Sequence, residues 1–417
     1  MTTAQTREPN AEQQAGKPIQ PGQQSAGYKD TLLTPKFWDG IIAWAWFPLL
    51  WRNHFRIPPR RWFMAAALSL FSLISAVLWL VQEVLLGRKI SRTKVKDAPI
   101  FVIGHWRSGT TLLHELLVLD PRHTYPNTFD VFAANHFLVS AWMLRPIFGA
   151  LMPKQRPMDN MAAGLDRPQE DEFALCNMGV PSPYLTIAFP NHPPVYEEYF
   201  DLERISPEEQ ARWKRGLMWF LQCLTLRNPK RIVLKSPPHT FRIKTLLEMF
   251  PEARFVYMVR DPYVLFPSTL HLWKRLYRDE GLQTPTYEGL EEYVFETFNR
   301  MHESFERQRH TIPTGQLCEV RYEDLVAQPV EQMRMVYQRL NLDEFEQVRP
   351  AIEAYFVGKA DYQTNRYQLA PELRAEIARR WGAYAERHGY AKSGDSGPNY
   401  PTNQHGLAPG AQTARGG

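Results

Sequence analysis

An apolar run over 100–103 leads into Gly104-His105-Trp106-Arg107-Ser108-Gly109-Thr110-Thr111 and then into a stretch of helical periodicity. Two glycines five apart between a strand and a helix are what a phosphate cradle needs. Glycine lets backbone N–H groups turn inward, and the helix N-terminus adds unpaired donors and partial positive charge. The spacing matches G-x-x-x-x-G, but Thr110 stands where a lysine would follow the second glycine. The cation lies inside the loop instead, as Arg107, whose planar fork can hold two oxygens of a phosphate or sulfate. The competing reading is an ordinary strand-to-helix turn with a solvated arginine.

A second candidate is Lys235, which ends the apolar run 232–234 and precedes Ser236-Pro237-Pro238-His239. The C-terminal edge of a strand in an open α/β sheet faces the ligand crevice. A lysine there can meet negative charge developing on a bridging oxygen as a group leaves. Otherwise it is a surface lysine capping the strand.

With these residues in view, the sequence resembles the sulfotransferase family, and in particular the branch of bacterial and tyrosylprotein sulfotransferases. Their 5′-phosphosulfate loop reads R-S-G-T-T after a strand, as 107–111 does. The resemblance covers roughly residues 98 to 330 and implies 3′-phosphoadenosine 5′-phosphosulfate as co-substrate, without a metal. Arg107, Ser108, Gly109, Thr110 and Thr111 would then hold the phosphosulfate, and Lys235 matches the family's catalytic lysine. The family binds the donor's 3′-phosphate with an arginine after a later strand and a serine eight residues on; Arg260 and Ser268 reproduce that spacing. An arginine clamp and a helix-start hydroxyl suit a phosphate physically. Asp261 reads as structural. Tyr322, in Tyr322-Glu323-Asp324-Leu325, either stacks on the adenine or packs in the core, and 358–367 falls where such enzymes close over the nucleotide.

The resemblance thins at the general base. The glutamate that tyrosylprotein sulfotransferases carry after the first helix is replaced by Asn127-Thr128. The acidic run Glu170-Asp171-Glu172 supplies Glu170 and Glu172 as catalytic candidates, with Asp130, His136 and His239 competing. Three adjacent acids also suit a solvated helix start.

The elements that must position these groups read as short apolar strands alternating with amphipathic helices, the signature of a mostly parallel sheet. Strands are predicted over 100–104, 231–235, 254–259 and 316–321, and helices over 109–119, 240–250, 263–273 and 329–340. A further helix is predicted over 206–226, with Ser206 as cap, Pro207 in the first turn and Glu209 closing a capping box. The fold class is α/β, a P-loop-type three-layer fold, preceded by an N-terminal hydrophobic, membrane-associated helical segment.

That segment, within 28–97, contains twenty residues without a charge, 62–81, enough to cross a hydrocarbon core. Arg52, Arg56, Arg60 and Arg61 precede it, and Arg88, Lys89, Arg92, Lys94 and Lys96 follow. Trp62 and Trp79 sit near its ends, as interfacial aromatics do. Ser69, Ser72 and Ser75 form a small-residue stripe suited to helix packing. Residues 37–51, broken by Asp39, Gly40 and Pro48, read as an interfacial or re-entrant piece, so membrane contact is expected through 37–86. A long buried helix of the soluble domain is the alternative. The sulfotransferase domain is expected over 98–391, on the cytoplasmic side, between disordered tails at 1–27 and 392–417.

Composition narrows the rest. The 417 residues are 44% apolar with a formal net charge of +5, too diffuse for nucleic-acid binding. Three scattered cysteines make neither a disulfide framework nor a metal spacing. The expected activity is sulfuryl transfer to a hydroxyl of a lipid, glycan or other amphipathic alcohol. The alternatives are a P-loop phosphotransferase or nucleotide hydrolase, and an inert membrane-tethered nucleotide-binding protein.

Overall fold

The apolar runs become a parallel sheet. The computed structural model describes residues 35–152, 163–357 and 369–390. Within them the strands are β1 Ile100–Gly104, β2 His123–Thr124, β3 Arg231–Lys235, β4 Arg254–Val259 and β5 Leu317–Arg321. Their order is β2-β3-β1-β4-β5, and every pairing is parallel. Side chains alternate between the two faces along each strand. Phe101, Ile103, Phe255 and Tyr257 enter one core, whereas Ile100, Val102, Val256 and Met258 enter the other. Burial on both faces is why these strands read as unbroken apolar runs.

The helices through the first half of the chain are α1 Ala43–Arg52, α2 Trp62–Arg92, α3 Thr110–Leu117, α4 Thr128–Phe132, α5 Phe137–Leu151, α6 Asp171–Asn177 and α7 Pro207–Arg227. After β3 come α8 Ile243–Met249, α9 Pro262–Glu280, α10 Leu290–Gln308, α11 Tyr322–Ala327, α12 Pro329–Arg339, α13 Phe345–Val357 and α14 Pro371–Arg387. The Ser206 capping box forms as expected, with Ser206 Oγ accepting from Glu209 N and Ser206 N donating to the Glu209 carboxylate. The helix expected over 240–250 is split, because Pro237 and Pro238 open a 3-10 turn at Pro237–Phe241 before α8 begins. The helix expected over 263–273 runs on to Glu280 with Pro267 inside it. β2, α4, α5, α10, α11, α13 and α14 fall where no element was predicted.

Residues 37–92 do not stand apart from the α/β body. Trp38, Trp46, Met64, Leu68 and Ile90 belong to the same core as Phe101 and Ile103. The piece expected to be interfacial or re-entrant is a 3-10 turn, Phe37–Gly40, followed by α1, and Trp38 and Trp46 are fully buried. Trp38 Nε1 donates to the Glu280 carbonyl at 3.1 Å, tying the turn to the end of α9. Gly40 permits the close approach, since a Cβ there would stand 1.6 Å from the Phe132 carbonyl oxygen. The serine stripe on α2 packs inward: Ser72 and Ser75 are buried, and Ser69 Oγ accepts from Trp46 Nε1 at 2.9 Å. With the preceding turn, Pro59–Arg92 is long and apolar enough to cross a membrane. The expected tails at 1–27 and 392–417, and the expected closing segment at 358–367, lie outside the described residues.

Candidate active site

In a parallel sheet all strand C-termini share one edge. β1 is flanked by β3 and β4, so chain order reverses on either side of it, the position at which open α/β sheets take their ligands. The register pairs Val102 with Lys235, Gly104 with Met258 and Val259 with Arg321. The loop after β1, Lys235 at the end of β3, Arg260 after β4 and Tyr322 after β5 therefore converge by topology.

The loop turns by left-handed backbone at Arg107 (φ 69°) and Gly109 (φ 102°). A Cβ on Gly109 would stand 2.3 Å from the Tyr322 ring, so only glycine lets loop and ring approach so closely. α3 starts directly after Gly109, without a side-chain cap, leaving the N–H groups of its first turn, at Thr110 and Thr111, directed at the loop. Ser108 closes the turn: its hydroxyl and its N–H both donate to the His105 carbonyl, at 2.7 and 3.1 Å. Burial pushes the His105 imidazole down to about 3, so it stays neutral inside this cationic loop.

Arg107, Arg260, Ser268 and Tyr322 meet at one point. Arg107 Nε donates to Ser268 Oγ at 3.0 Å, and Arg260 Nη1 donates to the Arg107 carbonyl at 2.6 Å. The Arg260 guanidinium lies over the Tyr322 ring, 4.1 Å from its centroid. Its Nε is buried and, among the described residues, has no hydrogen-bond partner. The backbone of Arg260 is fixed from α14, where Tyr384 Oη accepts from Arg260 N and donates to Arg260 O, both at 3.0 Å. Asp261 caps α9 by accepting from Tyr263 N at 2.8 Å, the structural role expected of it. Two guanidiniums, a hydroxyl, a helix N-terminus and an orphaned buried N–H fit a ligand bearing more than one anionic group.

Beside this cradle, Lys235 Nζ donates to Glu170 Oε1 at 2.7 Å. The Lys235 side chain is only 2% exposed, which removes the reading of a surface lysine. The other carboxylate oxygen of Glu170 accepts from Tyr184 Oη at 2.6 Å, and Tyr184 Oη accepts from Trp106 Nε1 at 2.8 Å. Burial, with Glu170 alongside, holds the Tyr184 phenol well above its ordinary pKa, so it remains a donor. A continuous chain thus runs from the loop through Trp106, Tyr184 and Glu170 to Lys235.

Glu170 is the N-cap residue of α6, and the next two acids anchor that helix. Asp171 accepts from Ser236 Oγ at 2.9 Å and from His239 Nε2 at 2.6 Å. Burial opposes the Asp171 charge, but His239 and Ser236 outweigh it and hold the carboxyl below its ordinary value. Glu172 is fully buried and pairs with Arg242 through both oxygens, at 2.5 and 3.0 Å, with Ser182 Oγ also donating to it at 2.5 Å. Of the two predicted acids, only Glu170 therefore faces Lys235. Glu172 is withdrawn from the crevice because the Arg242 charge requires it. The competitors are engaged as well: Asp130 pairs with Arg227, His136 with Ser140 and His239 with Asp171.

Tyr184, Arg242 and Tyr384 were not anticipated, since none lies in a motif and each acts across long sequence separations; Trp106 lies inside the phosphate-loop motif, but its partner Tyr184 is 78 residues away and no role was read for it. Arg242 had a local signal as well, lying seven residues past Lys235, just after the turn that follows β3. Cys176, Cys223 and Cys318 are buried free thiols. Among the described residues no three His, Cys, Asp or Glu side chains converge to hold a metal ion.

The sequence profile of the Sulfotransferase family matches residues 99–347. The chain belongs to the sulfotransferase family. Omega-hydroxy-beta-dihydromenaquinone-9 sulfotransferases of Mycobacterium bovis and Mycobacterium tuberculosis are each 47% identical over 353 residues, 85% of this chain and 91% of theirs. Among solved structures, a sulfotransferase from Mycobacterium avium matches with a TM-score of 0.60 at 18% identity, over 79% of this chain and 86% of its own. A second, from Mycobacterium tuberculosis, matches at 0.56 and 20%, over 78% and 85%. These two share the fold. This sulfotransferase is accordingly an enzyme, and the phosphotransferase and inert-binder alternatives fall away.

Proposed function

We propose that this sulfotransferase takes a sulfuryl group from 3′-phosphoadenosine 5′-phosphosulfate and delivers it to a hydroxyl on a membrane lipid. The observation that carries the reading is the buried Lys235–Glu170 contact of 2.7 Å beside the Arg107–Arg260 cradle. It brings a proton acceptor and a cation together at the strand edge that can bind the anionic donor.

When bound, the donor supplies a sulfuryl group whose transfer forms an acceptor O–S bond and breaks the S–O bond to the 5′-phosphate. The loop N–H groups at Gly109, Thr110 and Thr111, with Arg107, would hold the phosphosulfate. Arg260 and Ser268 would take the 3′-phosphate, and Tyr322, already stacked on Arg260, would flank the base. Glu170 accepts the acceptor's proton, and Tyr184 fixes the carboxylate while it does so. Lys235 has three N–H donors, so it can keep Glu170 in place and still meet charge on the departing oxygen.

The acceptor class follows from two supports. The relatives that are 47% identical are named for a lipid quinone bearing an omega-hydroxyl. The apolar face of α2 also gives the chain a means of meeting lipid. We take the protein to be membrane-associated with its catalytic domain in the cytoplasm, where three buried free thiols are at home. Purified full-length chain should move labelled sulfate from the donor into an omega-hydroxylated dihydromenaquinone held in vesicles. Labelling of water-soluble alcohols with none in the lipid would overturn the acceptor. Equal turnover with a donor lacking the 3′-phosphate would overturn the donor.

A further inference from the structure

The exposed apolar side chains of this chain are gathered on one surface. Of the 22 large hydrophobic residues that are exposed among the described residues, 19 fall within 44–55, 62–85 and 142–151, on α1, α2, α5 and the turn after α1. Trp51, Val84 and Trp142 are 75%, 76% and 81% exposed. α2 packs against both α1 and α5, with Trp44 edge-on to Trp79, so the three elements adjoin. Water does not favour so large an apolar patch on a monomer.

The opposite face of α2 is bonded to the α/β body from one end to the other. Met64, Leu68, Ser72, Ser75, Gln82 and Ile90 are buried at helical spacing. Just before the helix, Arg61 donates to the Arg278 carbonyl of α9. Two thirds of the way along, Gln82 Nε2 donates to Asn135 O and Gln82 Oε1 accepts from Leu138 N. Just past the C-terminal end, the Thr93 carbonyl accepts from Gln222 of α7 at 3.1 Å. Both ends of the helix are therefore held on the same body.

That attachment sets the orientation. A helix of 31 residues is about 46 Å long and a bilayer core is about 30 Å thick. Standing across the membrane, α2 would draw its neighbour α7 into hydrocarbon with the exposed Arg212 and Arg215. Lying flat, it buries only its apolar face, as an interfacial helix does. Exposed arginines and lysines border that face at both ends, with Arg52, Arg56 and Arg60 before α2 and Arg88, Lys89 and Lys94 at or after its end. They are placed to meet anionic headgroups on one side of a bilayer.

We infer that the chain is monotopic: the face formed by α1, α2 and α5 lies in one leaflet of an anionic bilayer, and α2 does not span it. This deepens the membrane reading above and supplies a route for the acceptor. α6, whose N-cap is Glu170, is bolted to the same block. Phe173 stacks on Phe37 at 4.0 Å, Asn177 Nδ2 donates to Phe37 O, and Ile42 N donates to Asn177 O. A hydroxyl carried on a lipid reaches Glu170 from the leaflet the face occupies.

The test uses the full chain with single reporters Arg60→Cys and Lys94→Cys, one at each end of α2; its own three cysteines are buried. In sealed membrane vesicles from expressing cells, prepared in both orientations, an impermeant maleimide should label both reporters in the same orientation and neither in the other. Labelling of one reporter per orientation would show a spanning helix and overturn the inference. In a second arm, a Leu73→Glu, Val77→Glu, Val84→Glu variant should lose about tenfold or more of its partition onto phosphatidylglycerol-containing vesicles with its melting temperature unchanged. Its turnover on a short water-soluble alcohol should persist. Unaltered partition, or a defined dimer that binds no vesicle, would mean that something other than lipid covers the face. Neither arm needs the natural acceptor, so a wrong acceptor leaves both outcomes readable.

Discussion

Replacing Glu172 with glutamine removes the negative partner of a guanidinium that has no access to water. Arg242 is fully buried, and Glu172 supplies both oxygens of its bidentate contact. Its remaining bonds go to the Tyr199 and Phe200 carbonyls, with Trp213 under the guanidinium at 4.8 Å. Removing one partner of a buried ion pair costs about 3–5 kcal/mol, and the retained carbonyls argue for the lower end, about 3. For a body of about 340 residues, 37–92 included, the entropy of unfolding is about 0.7 kcal/mol per kelvin, so the melting temperature should fall by about 4 °C. Glu170→Gln should act mainly on turnover. It keeps an oxygen for the Tyr184 hydroxyl and an amide beside Lys235, and it removes the proposed base, so turnover should drop by about 10²–10⁴. Glu170 is 15% exposed, so melting should fall by less than in Glu172→Gln. Thermal melts read alongside turnover per folded molecule at 25 °C separate the two variants. If Glu172→Gln melts like the parent and loses turnover as Glu170→Gln does, the assignment of the two acids is wrong.

Three other outcomes follow from the site and from the N-terminal turn. Lys235→Ala should lower turnover by about 10²-fold or more while donor affinity changes far less, because the charge it meets develops only as the bridging bond breaks; calorimetry with rapid-quench turnover checks it. Adenosine 3′,5′-bisphosphate should bind about 30- to 1,000-fold tighter than adenosine 5′-monophosphate, and Arg260→Ala should erase most of that preference in a titration of both nucleotides. Burial raises the Asp39 and Glu280 carboxyls to about 7 despite Lys36 beside them. The folded state thus holds protons that the unfolded chain releases near pH 4, and this contact loses stability as pH rises from there through 7. Hydrogen exchange over 36–46, corrected for intrinsic rates, should show more opening at pH 8 than at pH 6; equal protection would refute the sign.

What the sequence made legible has a common physical basis. Arg107, Lys235, Arg260 and Tyr322 each stand at or just beyond the end of a strand, and parallel topology alone brings strand ends together. β1 and β4 were readable because strands buried on both faces leave no polar alternation to confuse them. The choice between Glu170 and Glu172 was not readable, since it depends on Lys235 and Arg242, 65 and 70 residues away. Residues 37–51, read as interfacial or re-entrant, bury Trp38 and Trp46 in the core, and this was not legible for a related reason. Trp38 and Trp46 have the composition of interfacial aromatics, and only their partners in α9 and α2 make them core residues. Likewise Ser72, Ser75 and Gln82 suit a stripe facing another helix or one facing a domain, and composition does not distinguish the two.

Helix α6 explains why the acids come as an adjacent run of three. Successive residues on a helix point about 100° apart, so neighbouring carboxylates at its start cannot share one partner. Glu170 meets Lys235, Asp171 meets Ser236 and His239, and Glu172 meets Arg242. Those partners all lie within eight residues of one another, on β3 and the turn after it. Two of the contacts orient the helix, and the third faces the crevice. On the same helix, Phe173 and Asn177 reach the turn at Phe37 that joins the block carrying the exposed apolar face. A shift of one residue in this register would set Asp171 against Lys235 with a shorter side chain and leave Arg242 opposite Phe173. The position of the acid on α6 couples the chemistry to the apolar face, and a solvated cluster of the same composition would supply neither.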